Sequence, residues 1–251
     1  MITTYHRPKT LNEALTLLTQ PNRIPLGGGT LLSHSKSDSV EAVDLQALGL
    51  DAVKKSGNNL EVGAMVTLQQ LLDSEYCPAA LKSALKLEAP LNIRNAATVA
   101  GTLVACDGRS TFVTVLLTLD AKLELRKLDN SNIEMRNSNI GDFLPLRILE
   151  GWLITSIIVP LNIKLAFDYV SRTPADKPIV CAALAQWNSG RTRLALGGYS
   201  NSPLLAMDGT ESEGLETAAR NAFHEATDEW ASAEYRMDAA ATLAKRCMEE
   251  R

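Results

Sequence analysis

Residues 25–32 read P-L-G-G-G-T-L-L, that is Pro25, Leu26, Gly27, Gly28, Gly29, Thr30, Leu31 and Leu32. The run Arg23–Leu26 before them has strand character, so three glycines and a threonine follow directly on a short strand. Glycine allows close backbone approach and positive φ, and successive amides can then converge on one anion, such as a diphosphate. A tight turn is the commoner meaning of such a run when it stands alone. Two familiar phosphate-binding patterns fail here: no G-K-[ST] follows, and Leu31 and Leu32 after Thr30 break G-x-G-x-x-G.

Working outward, Thr10 with Glu13 three residues on, then Leu11, Ala14, Leu15 and Leu18, predicts a capped amphipathic helix closed by Pro21. Residues 42–45 and 60–63 read as short strands. Thr67 with Gln70 is a second capping box, opening a helix through Leu72. A helix over 79–87 ends before Pro90, and 93–103 reads as an irregular small-residue segment holding Thr98, Val99, Ala100, Gly101 and Thr102, a second backbone-rich loop. Residues 112–119 read as helix, and 122–126, 132–135 and 153–159 as strands. Beyond Pro160 come strands at 165–170, 179–187 and 192–196, the last two joined by a hairpin at Asn188, Ser189 and Gly190. From Glu211 onward two or more helices are expected, with Arg236, Ala239, Ala240, Leu243 and Cys247 on one face. The expected boundary lies near Pro160: a domain over 1–160, with subregions of about 1–55 and 56–160, then one over 161–251.

The 251 residues are 45% apolar and 22% charged, enough for a sizeable core. A net charge of -4 offers no surplus cation for a nucleic-acid backbone. The longest apolar stretch, 152–161, is interrupted by Thr155, Ser156 and Pro160, and no apolar core follows His6, Arg7 and Lys9, so a cytoplasmic protein without a membrane span is expected. Cys77, Cys106, Cys181 and Cys247 are too scattered for a zinc or iron-sulfur site. No Ser-His-Asp or paired-carboxylate set stands out, so no residue is assigned as catalytic.

Beyond the glycines, Tyr5 and Pro8, Val43-Asp44-Leu45, the run 60–64, Ile93-Arg94-Asn95 ahead of 98–102, Leu119-Asp120-Ala121, Leu196-Gly197-Gly198 and the run 232–236 fall in one order. The chain thereby resembles the FAD-binding, medium subunits of molybdenum hydroxylases of the xanthine dehydrogenase and aerobic carbon monoxide dehydrogenase type. That resemblance implies an α+β protein: a two-part FAD-binding domain, then a smaller C-terminal domain of antiparallel sheet plus helices. It implies FAD on two loops, Pro25 to Leu32 and Thr98 to Thr102, the latter similar to the family's T-I-G-G-N with Ala100 and Thr102 in place of Gly and Asn. A family Ser-Asp pair that reaches the ribityl region matches Ser110 and Thr111, with Asp107 nearby. The flavin ring is expected beside Ile154, Thr155 and Tyr169. Arg94 is left outside the site, and Tyr235 and Arg236 are read as packing. The implied activity is electron transfer from a small two-iron-cluster subunit, beside a large molybdopterin subunit, to an outer acceptor. A flavin-free scaffold, and an unrelated phosphate-binding enzyme sharing the glycine loop, remain as alternatives.

Overall fold

The computed structural model describes residues 2–31, 39–130, 132–147, 149, 151–174 and 176–250. In chain order the first elements are β1 (Ile2–His6), α1 (Leu11–Leu18), β2 (Arg23–Leu26), β3 (Val40–Asp44), β4 (Val53–Ser56), β5 (Asn59–Gly63), α2 (Leu68–Asp73) and α3 (Ala79–Glu88). They are followed by α4 (Leu91–Arg94), α5 (Val99–Ala105), α6 (Thr111–Thr118), β6 (Lys122–Asp129), β7 (Asn132–Asn139), α7 (Ile140–Phe143) and β8 (Leu153–Pro160). The last are β9 (Lys164–Val170), β10 (Val180–Gln186), β11 (Thr192–Gly197), β12 (Leu204–Gly209), α8 (Leu215–Asn221) and α9 (Ala233–Glu249).

Two compact units result. One comprises Met1–Ser74, Leu91–Ala105 and Lys122–Ile158; the other Glu75–Pro90, Cys106–Ala121 and Val159–Arg251. The second therefore takes two segments, carrying α3 and α6, from ahead of Pro160. Both helices pack against its strands, and hydropathy along the chain carries no mark of that excursion.

In the first unit β1, β3 and β2 form a parallel sheet in that order. α1 connects β1 to β2 and is capped as its sequence dictates: the Glu13 amide donates to Thr10 Oγ1 at 3.2 Å, and the Thr10 amide to the Glu13 carboxylate at 3.3 Å. Its Ala14 and Leu15 bury themselves with Val43, Leu45, Met65 and Leu153. A five-stranded sheet, β4-β5-β8-β6-β7, completes this unit.

The second unit is a four-stranded antiparallel sheet, β12-β11-β10-β9. Ala182, Leu184, Leu194 and Leu196 pack with Leu215, Phe223, Leu243 and Cys247. α6 is buried at every residue, and its threonines avoid a polar penalty by internal bonding: Thr114 donates to the Ser110 carbonyl at 2.7 Å, Thr118 to the Ala183 carbonyl at 3.1 Å. Arg236 is fully buried, donating to Asp228 at 2.7 Å and to the Ala231 carbonyl at 2.9 Å beneath the Tyr199 ring, while Tyr235 is exposed.

Three strands go beyond the sequence reading: β1, β4 and β12 are short or mostly exposed, so they lack an alternating apolar signal. The irregular stretch expected over 93–103 is corrected. Most of it is helical, in α4 and α5, because Thr98 caps α5 and the small residues Ala100 and Gly101 are tolerated inside it. Among the described residues no helix is long and apolar enough to cross a membrane, and no cluster of His, Cys, Asp and Glu could hold a metal ion. Burial pushes the Cys77, Cys181 and Cys247 thiols up to about 12, outside the range of reactive thiols.

Candidate functional site: a glycine-lined cavity

The glycine loop leaves the first sheet at the C-terminal ends of β2 and β3, where Leu26 pairs with Asp44 and the Leu45 amide donates to the Leu26 carbonyl at 3.1 Å. Such ends of parallel strands are where open α/β sheets bind ligands. Asp44 is buried, but its carboxylate is engaged. Tyr5 donates to it, the Gln46 amide donates at 2.9 Å, and Arg7 stands 3.6 Å away. Donation to Asp44 is also what holds the Tyr5 phenol above its ordinary pKa.

The second segment is pinned by backbone. The Val99 amide donates to the Val66 carbonyl and the Leu68 amide to the Ala97 carbonyl, both at 2.9 Å, with a bridge between Thr67 and Thr98. Thr98 Oγ1 accepts the Gly101 amide at 3.1 Å, the N-cap of α5. The two segments touch where Gly27 and Gly28 of the first meet Ala96 and Thr98 of the second. A Cβ on Gly28 would lie 1.6 Å from the Ala96 carbonyl oxygen, and one on Gly27 or Gly101 would lie 2.8 Å from Thr98 Oγ1. Gly29 differs: its φ is +70°, and only Leu26 Cδ1, at 3.6 Å, would meet its Cβ. Gly28 thus lets the two backbones meet, Gly27 and Gly101 leave room for the Thr98 side chain, and Gly29 sets the chain's direction.

Together these segments wall a cavity of about 340 Å³ within the first unit. Pro25, Gly27, Gly28, Gly29, Thr30 and Leu31 line it from one side; Thr98, Ala100 and Gly101 from another; Ile154 from β8. Residues the sequence did not single out complete it, chiefly Ile24, Met65, Val104, Leu149 and Leu153. These are aliphatic or sulfur side chains with no motif of their own, so only the fold could reveal them. No described lining residue is charged; polar contacts come from the hydroxyls of Thr30 and Thr98 and from backbone. The volume lies within the usual range for ligand sites. A cradle of glycines beside apolar walls fits a cofactor with a diphosphate linking flat, largely apolar rings.

Other expected site residues lie off this wall. Leu26 is in β2, Val99 is fully buried with its amide on Val66, and the Thr102 amide donates within α5 to the Thr98 carbonyl at 2.8 Å. Thr155 alternates with Ile154 on β8, and its hydroxyl donates to the Glu124 carbonyl at 3.2 Å, beside a separate polar hollow of about 210 Å³ that also holds Arg126 and Ser156. Asp107, Thr111 and Tyr169 belong to the second unit. Asp107 is exposed, accepting the Arg109 amide at 2.9 Å and pairing with Lys177 at 3.3 Å. Thr111 is fully buried, its hydroxyl divided between the Ala84 carbonyl at 2.7 Å and Glu88 at 3.2 Å, which gives it a structural task. The Tyr169 ring stacks on Phe167 at 6.2 Å between centroids. Leu32 lies outside the described residues.

Residues 1–162 match the family described as the FAD binding domain in molybdopterin dehydrogenase, and the chain belongs to that family. It is thus an oxidoreductase component of the flavoprotein type, with FAD as its cofactor. It is 31% identical to the YgfM protein of Escherichia coli (strain K12) over 245 residues, covering 94% of this chain and 91% of that one. It is 26% identical to the carbon monoxide dehydrogenase medium chain of Afipia carboxidovorans over 221 residues, covering 81% of this chain and 77% of that one. Among solved structures, reconstituted CO dehydrogenase from Oligotropha carboxidovorans superposes with a TM-score of 0.82 at 26% identity, over 98% of this chain and 96% of that one.

Proposed function

We propose that this chain is the FAD-binding electron-transfer subunit of a cytoplasmic molybdenum hydroxylase complex, relaying electrons from an iron-sulfur subunit to an outer acceptor. The observation that carries the reading is the cavity where Gly29, Thr30, Thr98 and Gly101 meet over apolar walls. Bound FAD supplies the exchange of electrons; the protein supplies its placement and surroundings. Gly29 turns the chain at positive φ, and the close approach of Gly27 and Gly28 to Thr98 and Ala96 fixes both segments before the cofactor arrives, so little ordering remains to be done on binding. Thr98 holds the start of α5 in place through Gly101. The apolar walls exclude water from around the rings.

The proposed partners are a small two-iron-cluster subunit and a large molybdopterin subunit. In support, two of the relatives are named as medium chains, those of carbon monoxide dehydrogenase and glyceraldehyde dehydrogenase. The test is purification from the native source, with flavin, iron and molybdenum analysis of whatever co-purifies. Recovery of all three with two further chains is expected. A chain isolated alone that oxidises purines, aldehydes or carbon monoxide would defeat the subunit reading.

A further inference from the structure

The five-stranded sheet has two edges, β4 and β7, and they are finished differently. β4 has four residues, two of them Lys54 and Lys55, which is how proteins discourage pairing at an open edge. β7 runs for eight residues, N-I-E-M-R-N-S-N, without lysine or proline. Ile133 and Met135 point to one face and are 41% and 57% exposed; Glu134 and Arg136 point to the other and are also exposed. Within the sheet Glu134 lies opposite Lys127, but Arg136 lies opposite Leu125 and finds no acid across the strand pair.

We propose that β7 pairs antiparallel with β7 of a second copy of this chain, about a two-fold axis at Met135. Side-chain charge selects that register. Centred on Met135, Glu134 faces Arg136 of the other copy and Arg136 faces its Glu134, so each charge meets its opposite, in two symmetry-related pairs. Centring on Glu134 or on Arg136 sets like charges against each other, as does a parallel in-register pair. On the other face the same register puts Met135 against Met135 and brings Ile133 diagonally onto Met135 of the partner, covering the apolar side chains that are now exposed. The proposal stands on this edge alone and does not depend on the flavin reading.

Sedimentation equilibrium on the full chain tests it, with Glu134→Arg, Arg136→Glu and the double reversal, each checked for native circular dichroism and FAD content. The wild type should dimerise at micromolar concentration. Each single reversal should raise the dissociation constant about tenfold or more, and the double reversal should restore it. Met135→Glu, which sets two like charges on the axis, should also dissociate the dimer and serves should a reversal fail to fold. A monomeric wild type, a dimer indifferent to the single reversals, or failure of the double to rescue would overturn the proposal. So would β7 amides that gain hydrogen-exchange protection only in the presence of another protein.

Discussion

At the scale of single residues, the three glycines of the first loop are not equivalent. Gly28 has no room for a side chain, since its Cβ would overlap the Ala96 carbonyl oxygen. Gly28→Ala should therefore lower stability itself, by on the order of 2 kcal/mol, because backbone must move on both sides. Chemical denaturation with the cofactor stripped measures that cost. Gly29→Ala makes only an ordinary contact with Leu26 but must hold a left-handed conformation, at about 1 kcal/mol, and Gly29→Asn should recover much of that loss. Val104 offers a cleaner probe of the cavity, since it lines the wall from an exposed position on α5. Val104→Trp should leave the melting temperature of the apo chain near wild type and cut retained flavin severalfold; unchanged flavin would show that this wall does not face the cofactor. Arg193, buried, bridges Asp208 at 2.6 Å and the Leu117 carbonyl at 3.0 Å, with Asp120 at 3.4 Å. Its replacement by Met leaves Asp208 and Asp120 on Arg191, at 2.8 and 2.9 Å, and the Leu117 carbonyl on the Asp120 amide, so the loss is of charge-assisted bonds alone and should cost about 1.5–3 kcal/mol in urea unfolding.

At the scale of elements, the sharpest dependence on pH sits where α3 meets α6. One Glu88 carboxylate oxygen accepts the Phe112 amide at 2.9 Å and the Ser110 hydroxyl at 2.9 Å, closing the start of α6. Burial raises the pKa of Glu88, and these donors only partly offset it. A carboxyl whose pKa is raised on folding contributes stability that is fully present below the ordinary carboxylate range and is lost as pH rises through the raised value. Glu88→Gln should flatten that decline, so the variant gains on wild type between mildly acidic and mildly alkaline urea titrations; parallel curves would show that Glu88 ionises as freely folded as unfolded. Glu88→Ala forfeits the bond to Phe112 and should cost about 1–3 kcal/mol at either pH. Legibility in the sequence follows the same division between local and distant causes. The capping boxes at Thr10 and Thr67 are local, and both helices stand where those residues put them. α5 hid behind Ala100 and Gly101, because its cap at Thr98 is anchored by Thr67 and Val66, about thirty positions earlier. The glycines of the cavity were legible as composition. Its walls at Met65, Leu149 and Leu153 were not, since an apolar residue looks alike whether it faces a core or a ligand.

At the scale of the whole molecule, the first unit, as proposed, would hold FAD through backbone, hydroxyls and apolar walls. With no described charged side chain on the cavity, binding should weaken little with added salt, unlike a site built on lysines or arginines. Partners would then supply electrons rather than complete the pocket. Isothermal titration of the flavin-stripped full chain with FAD, at low and high salt, tests this most directly. Saturable, equimolar binding is expected, with an affinity changed less than about tenfold by salt and weakened severalfold in Val104→Trp. A chain that takes up no FAD while its circular dichroism remains native would contradict it.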